Sequence, residues 1–120
     1  MVVHKASEAE KDLIFHALAD ATRRDIVGRV IEREQSISSL AQRYAVSFAA
    51  VQKQVAVLER ASLVHKVRHG REQVVHVNHS TIQRAADLLH TFEVLWEKRM
   101  IRIEEILAED ILADEAKGRF

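Results

Sequence analysis

Apolar positions recur at helical spacing along most of this chain. The period switches once to two, between Leu63 and Val77, and then switches back. Residues 7–18 place Leu13, Ile14, Ala17 and Leu18 on one helical face. Asp20 is a candidate N-cap for a second helix, whose apolar stripe is Ile26, Val27, Val30 and Ile31 and which ends in the run REQS at 33–36. Ile37 is expected to begin a short strand or turn. Ser38 or Ser39 is expected to cap a third helix running through Arg43, with Leu40 and Ala41 inward. Tyr44-Ala45-Val46 reads as a turn. Ser47 is a strong N-cap for a fourth helix, 48–61, buried through Val51, Val55 and Leu58.

Alternation then takes over in Leu63–Arg68 and Gln73–Val77, on either side of His69-Gly70-Arg71-Glu72. Gly70 can take positive φ, so this is a hairpin, with His65 across from His76. From Thr81 the helical period returns. Ile82, Ala85, Leu89, Phe92, Trp96, Ile103 and Leu107 form a nearly continuous stripe. Thirty residues of helix span about 45 Å, more than a small domain covers, so the stripe predicts a helix-to-helix dimer contact. The segment from Ala113 to Phe120 is expected to fray. The order is short helix, turn, second helix, hairpin, long helix. It predicts an α+β, mainly α fold: a winged helix-turn-helix with a long C-terminal dimerisation helix. The expected layout is one domain over 1–120, with the helix-turn-helix at about 38–61, the wing at about 63–78 and the dimerisation helix at about 81–112.

Composition narrows the functional classes. With 120 residues, 48% hydrophobic and 30% charged, the chain is that of a folded protein. It has no cysteine, which removes disulfides, thiolate metal sites and cysteine nucleophiles together. No apolar run reaches membrane-spanning length, and MVVHKASEAEKD turns charged too early for a signal peptide, so a cytoplasmic protein is expected. The chain has no proline, which suits a mainly helical fold. There is no glycine-rich phosphate loop and no nucleophile motif, so an enzyme is not expected. A histidine-based hydrolase would need His65, His76 and an acidic residue to converge on a pocket.

Net charge is zero, but its distribution is uneven. Residues 36–79 carry six basic side chains against two acidic ones, between flanks that are slightly acidic. Local charge, not net charge, decides whether a surface attracts DNA. With Val51, Val55 and Leu58 inward, Phe48, Ala49, Gln52, Lys53 and Ala56 face partly or wholly outward. Gln can bond an adenine edge at two points, Lys can bond guanine or phosphate, and Phe48 can touch a thymine methyl. Gln54 sits at the boundary of the two faces. Arg68 and Arg71 flank the hairpin tip, where phosphate or the minor groove is the expected partner. The candidate DNA-binding set is therefore Ser47, Phe48, Ala49, Gln52, Lys53, Gln54, Arg68 and Arg71. The candidate dimer set is Leu13, Leu89, Phe92, Trp96 and Ile103.

The segment SSLAQRYAVSFAAVQKQVAVLERASLV at 38–64 resembles the helix-turn-helix of the ArsR/SmtB family of bacterial transcriptional repressors. The resemblance extends upstream to ALADATRRDIV at 17–27, where the family commonly has proline in place of Ala21. Downstream it extends to the glycine-turn wing and the last helix, covering about residues 10–108. It implies a homodimer on a double-stranded, near-palindromic DNA operator, and repression by blocking polymerase. Family members often sense metals through cysteines on the first helix of the motif or through Asp, His and Glu ligands on the last helix. Here the first stretch is SSLAQRY. On the last helix Asp87 and His90 lie one turn apart with no later histidine, and Glu104 lacks its neighbour. No metal site and no cofactor are expected, since stable zinc binding wants three or four ligands. Two alternatives share the fold: a metal- or ligand-responsive version of the repressor, and a protein-interaction module whose 48–56 face is neutral or occluded. No residue identifies an effector, an operator sequence or the regulated genes.

Overall fold

The computed structural model describes residues 7–118, in the order α1 (Glu8–Leu18), α2 (Ala21–Glu32), β1 (Gln35–Ser36), α3 (Ile37–Tyr44), α4 (Phe48–Arg60), β2 (Val64–His69), β3 (Glu72–Val77) and α5 (His79–Lys117). Met1–Ala6, Arg119 and Phe120 lie outside the described residues. The chain divides into two compact units after Ala85.

The starts of α1, α2, α3 and α4 are each sealed by a side-chain oxygen. Ser7 accepts from the Glu10 amide, Asp20 from Arg23, Ser36 from Ser39 and Ser47 from Ala50. Each cap satisfies one of the N–H groups that a helix start leaves without a partner, worth about 1 kcal/mol. The cap of α3 is Ser36, not Ser38 or Ser39, and Ile37 is the first helical residue rather than the start of a strand. The reason is local. Capping from Ser36 lets Ile37, Leu40 and Ala41 all reach the core, and the strand shortens to the two residues before it.

The sheet is antiparallel with strand order β1-β3-β2. Gln35 pairs with Val75, and His65 lies opposite His76 as the alternation predicts. Val64 and Val75 close the core from the sheet side. Ile14, Ala17, Ile26, Val27, Val30, Ile37, Leu40, Val51, Val55 and Leu58 fill it from the helices. Ile31, expected in the α2 stripe, is 55% exposed. It sits one residue past Val30, beyond the arc that faces the core.

Among the described residues three backbone positions have positive φ: Ala45 at 52°, Ser62 at 59° and Gly70 at 62°. Ala45 and Ser62 end α3 and α4 in the same way. The Val46 amide reaches the Ala41 carbonyl while Ala45 reaches Gln42. The Leu63 amide reaches Leu58 while Ser62 reaches Glu59. This double closure is the Schellman motif, in which glycine is usual at the left-handed position. At the hairpin tip only Gly70, and not Arg71, has positive φ, the pattern of a type II′ turn.

The second unit contains the remainder of α5. The helix continues through Lys117, past the point where fraying was expected, and its large apolar side chains from Leu89 to Leu112, with the exception of the half-buried Val94, are exposed.

Replacing Ala45 or Ser62 with glycine is expected to raise stability by about 1 kcal/mol, and Gly70→Ala to lower it by a similar amount. Urea unfolding reads both signs. A loss at Ala45→Gly would show that its left-handed geometry is not the limiting strain.

Candidate nucleic-acid interface

The candidate surface is built on α4, and α2 is what fixes α4 in place. Arg23 of α2 donates from Nε to the Ala17 carbonyl at 2.7 Å, from Nη2 to the His16 carbonyl at 3.2 Å, and from Nη1 to Gln54 Oε1 at 3.0 Å. Arg24 adds a bond to the Leu18 carbonyl at 2.8 Å. Two arginines thus satisfy the end of α1, where carbonyls lack partners and carry partial negative charge. One of them also grips α4.

A second connection holds the helix before the turn. Asp25 Oδ2 accepts from the Tyr44 hydroxyl and from Arg29 Nε at 2.8 Å, and Arg29 Nε also lies 3.2 Å from the Tyr44 oxygen. The Arg29 guanidinium stands over the Tyr44 ring at 5.6 Å. The Tyr44 bond first, and Arg29 second, hold the Asp25 carboxyl below its ordinary value of 3.8. Partial burial, then the bond to Asp25, push the Tyr44 phenol above 10.0. Asp25 and Arg29 belong to the exposed side of α2, where sequence reading sees only a solvated face. The signal present in the chain is the tyrosine at the end of α3.

The outer face of α4 is open. Ser47, Phe48, Ala49, Ala50, Gln52 and Lys53 are exposed, and Phe48 is 45% exposed rather than tucked under the turn. The Ser47 hydroxyl already accepts from Ala50 N at 3.1 Å. The first amides of α4 have no intrahelical acceptor, which makes this helix end suited to an anion. Gln54 is half-buried and its amide oxygen is committed to Arg23, so only its amide nitrogen is uncommitted.

The hairpin separates its charges by strand alternation. Val64, Lys66 and Arg68 share the face that carries Val75 into the core. Lys66 is held at 3.4 Å from Glu59 on α4 and is no longer a free charge. Arg68 is exposed, with Nε 3.3 Å from the Gly70 carbonyl, and Arg71 is exposed at the tip.

The opposite face of the hairpin carries His65 and His76. Their rings stack at 5.2 Å with 12° between planes, and His76 Nδ1 lies 3.1 Å from Glu34. These three line a cavity with Val30, Ile31, Glu32, Arg33 and Val77. No hydroxyl or thiol lines it. Among the described residues no group of three or more His, Cys, Asp or Glu side chains is arranged to hold a metal ion, and no helix is long and apolar enough to cross a membrane.

Two capped helices joined by a tight turn, the second with an open polar face, and a hairpin of short strands beside it define a winged helix-turn-helix. Among solved structures, an ArsR-like transcriptional regulator from Rhodococcus sp. RHA1 aligns with a TM-score of 0.70 at 34% identity, over 82% of this chain and 92% of that one. HlyU from Vibrio cholerae shares the fold at 22% identity and a TM-score of 0.59, over 74% of this chain and 97% of its own. So does a homodimeric winged helix-turn-helix DNA-binding domain from Mycobacterium bovis, a possible ArsR-family regulator. It aligns at 16% identity and a TM-score of 0.60, over 78% of this chain and 91% of that one. No family model and no curated protein matches the chain. The chain belongs to the ArsR family of winged helix-turn-helix transcriptional regulators, which are not enzymes.

The Asp25–Tyr44 bond gives a pH-dependent test. A carboxyl depressed in the fold contributes stability above its ordinary value, and that contribution is lost as pH falls through the depressed one. Tyr44→Phe is expected to lower the urea midpoint near neutral pH. The deficit should shrink in urea titrations below pH 3.8 as Asp25 protonates. A deficit that does not change with pH would contradict this account.

Proposed function

We propose that the protein is a homodimeric, sequence-specific DNA-binding repressor in the cytoplasm, acting on its own or a neighbouring operon. The observation that carries this reading is the open outer face of α4. That face presents Gln52 and Lys53 between small alanines, where a protein-interaction module would have a neutral or occluded surface. In this reading α4 enters the major groove and Gln52 and Lys53 reach base edges. Phe48 and Ala49 approach the bases, and Ser47 with the free amides of the first turn takes a phosphate. Gln54 keeps α4 in position through Arg23. Arg68 and Arg71 follow the backbone beside the groove.

The dimer contact is assigned to Leu89, Phe92, Trp96 and Ile103 of α5, with Leu13 of α1. All five are exposed, and Trp96 is 58% so. Eleven large apolar side chains are exposed between Leu89 and Leu112. Full burial of each against a partner is worth about 1.5–3 kcal/mol, and leaving them in water favours aggregation. Repression follows if the bound dimer covers promoter DNA.

Fluorescence anisotropy on duplex DNA from upstream of the protein's own gene tests the proposal. Affinity should exceed that for random duplex and fall steeply with salt. Gln52→Ala should cost about 1–3 kcal/mol on the preferred sequence and little on random DNA. Arg71→Ala should weaken all sequences about equally and reduce the salt slope by about one. Affinity indifferent to salt, or equal for random DNA, would refute the reading.

A further inference from the structure

A cavity of about 210 Å³ opens between α1, the end of α4 and the start of α5, and all of its residues belong to the first unit. It shares no residue with the candidate DNA-binding set or with the His65–His76 cavity. Leu13 and Ile14 of α1 and Ala61 at the end of α4 form an apolar wall. Ile14 and Ala61 are buried, and Leu13 is 47% exposed at the rim. Three charged groups complete the lining: Glu10 of α1, Arg60 of α4 and Arg84 of α5.

None of the three takes part in an ion pair among the described residues. Other arginines of this unit are matched. Arg23 and Arg24 satisfy the end of α1, and Arg29 pairs with Asp25. Arg84 is half-buried and has one neutral partner, the Thr81 hydroxyl, which accepts from Nη2 at 3.0 Å. Thr81 is itself fully buried, so the core holds the guanidinium in place. Nε of the same group is closed off from solvent and has no hydrogen-bond partner among the described residues. A half-buried cation short of acceptors is costly, and an anion that meets it offsets that cost.

We infer that this cavity binds a small organic monocarboxylate. Its carboxylate sits on the Arg84 guanidinium, in the field of Arg60, and its apolar body lies against Leu13, Ile14 and Ala61. A planar guanidinium already fixed by one bond presents its remaining donors in the fork that a carboxylate matches. Two arginines against one carboxylate leave a single surplus positive charge, which selects a monoanion. A dianion would bring a second negative charge toward Glu10. The mixed lining, apolar wall with few charged groups, is that of a small-molecule site. Leu13 belongs also to the proposed dimer contact, and α4 carries the proposed DNA face, so a ligand here touches an element of each. The binding itself rests on neither reading.

Benzoate is the probe, with benzamide as its neutral counterpart and phthalate as a dianion. Amide chemical shifts of the full chain are recorded as each is added at constant ionic strength. Benzoate should give saturable changes at Ile14, Ala61, Ser62 and Arg84, and benzamide and phthalate should bind about tenfold more weakly or worse. Arg84→Gln should weaken benzoate about tenfold, and Arg84→Lys, which keeps the charge and loses the fork, by less. If those variants fold poorly, the wild-type chain decides alone: benzoate should raise its urea midpoint in a saturable way, and benzamide should not. Changes that do not saturate, that centre away from the cavity, or that benzamide reproduces would overturn the site. So would a benzoate response untouched by Arg84→Gln. Phthalate binding as tight as benzoate would overturn the assignment to a monoanion.

Discussion

Arg23 is the constraint on which the arrangement of the first unit depends. One guanidinium satisfies two carbonyls at the end of α1 and reaches Gln54 on α4. A helix end left without partners would cost stability in a part-buried position, so the side chain is committed to that place. Its third bond then fixes the rotation of α4 about its own axis. That rotation decides which residues are core and which are surface: Val51, Val55 and Leu58 go in, and Gln52 and Lys53 stay out. Asp25 and Arg29, two and six residues further along α2, fix the end of α3 through Tyr44. The two helices of the motif are therefore held by a third, and the alanine in a left-handed turn between them is tolerated because both sides are fixed.

The same contacts redistribute the charge available for a partner. Six basic residues lie between 36 and 79, but Lys66 is already neutralised by Glu59 and Arg68 leans on the hairpin tip. Within the candidate surface, Lys53 on the helix and Arg68 and Arg71 at the wing take part in no ion pair among the described residues. In the proposed reading Gln52 and Lys53 reach the bases, and Arg68 and Arg71 hold phosphate beside them. On α5 the large apolar side chains from Leu89 to Leu112 are exposed, and in the proposed reading a second molecule covers them.

Much of this was legible in the chain. Hydrophobic period set α1, α2, α4 and the hairpin to within a residue or two, because caps such as Asp20 and Ser47 and the glycine at 70 mark their ends chemically. The start of α3 was misread since three serines, 36, 38 and 39, compete as caps, and only burial of Ile37 selects the first. Ile31 was misplaced because a stripe read from spacing does not tell how wide the buried arc is. The Arg23 and Asp25–Tyr44 contacts join residues far apart in sequence, and no local pattern encodes them. Of the candidate site, the open residues of α4 and the hairpin tip were identifiable from period alone, whereas the double duty of Gln54 was not.

The central claim is that α4 and the hairpin tip together form the surface that meets DNA. Amide chemical shifts of the full chain, recorded as duplex from upstream of its gene is added, read that surface directly. The account predicts changes concentrated in residues 47–54 and 66–73, and little change at the His65–His76 face or on the exposed side of α2. Changes centred on those other faces, with α4 silent, would contradict it.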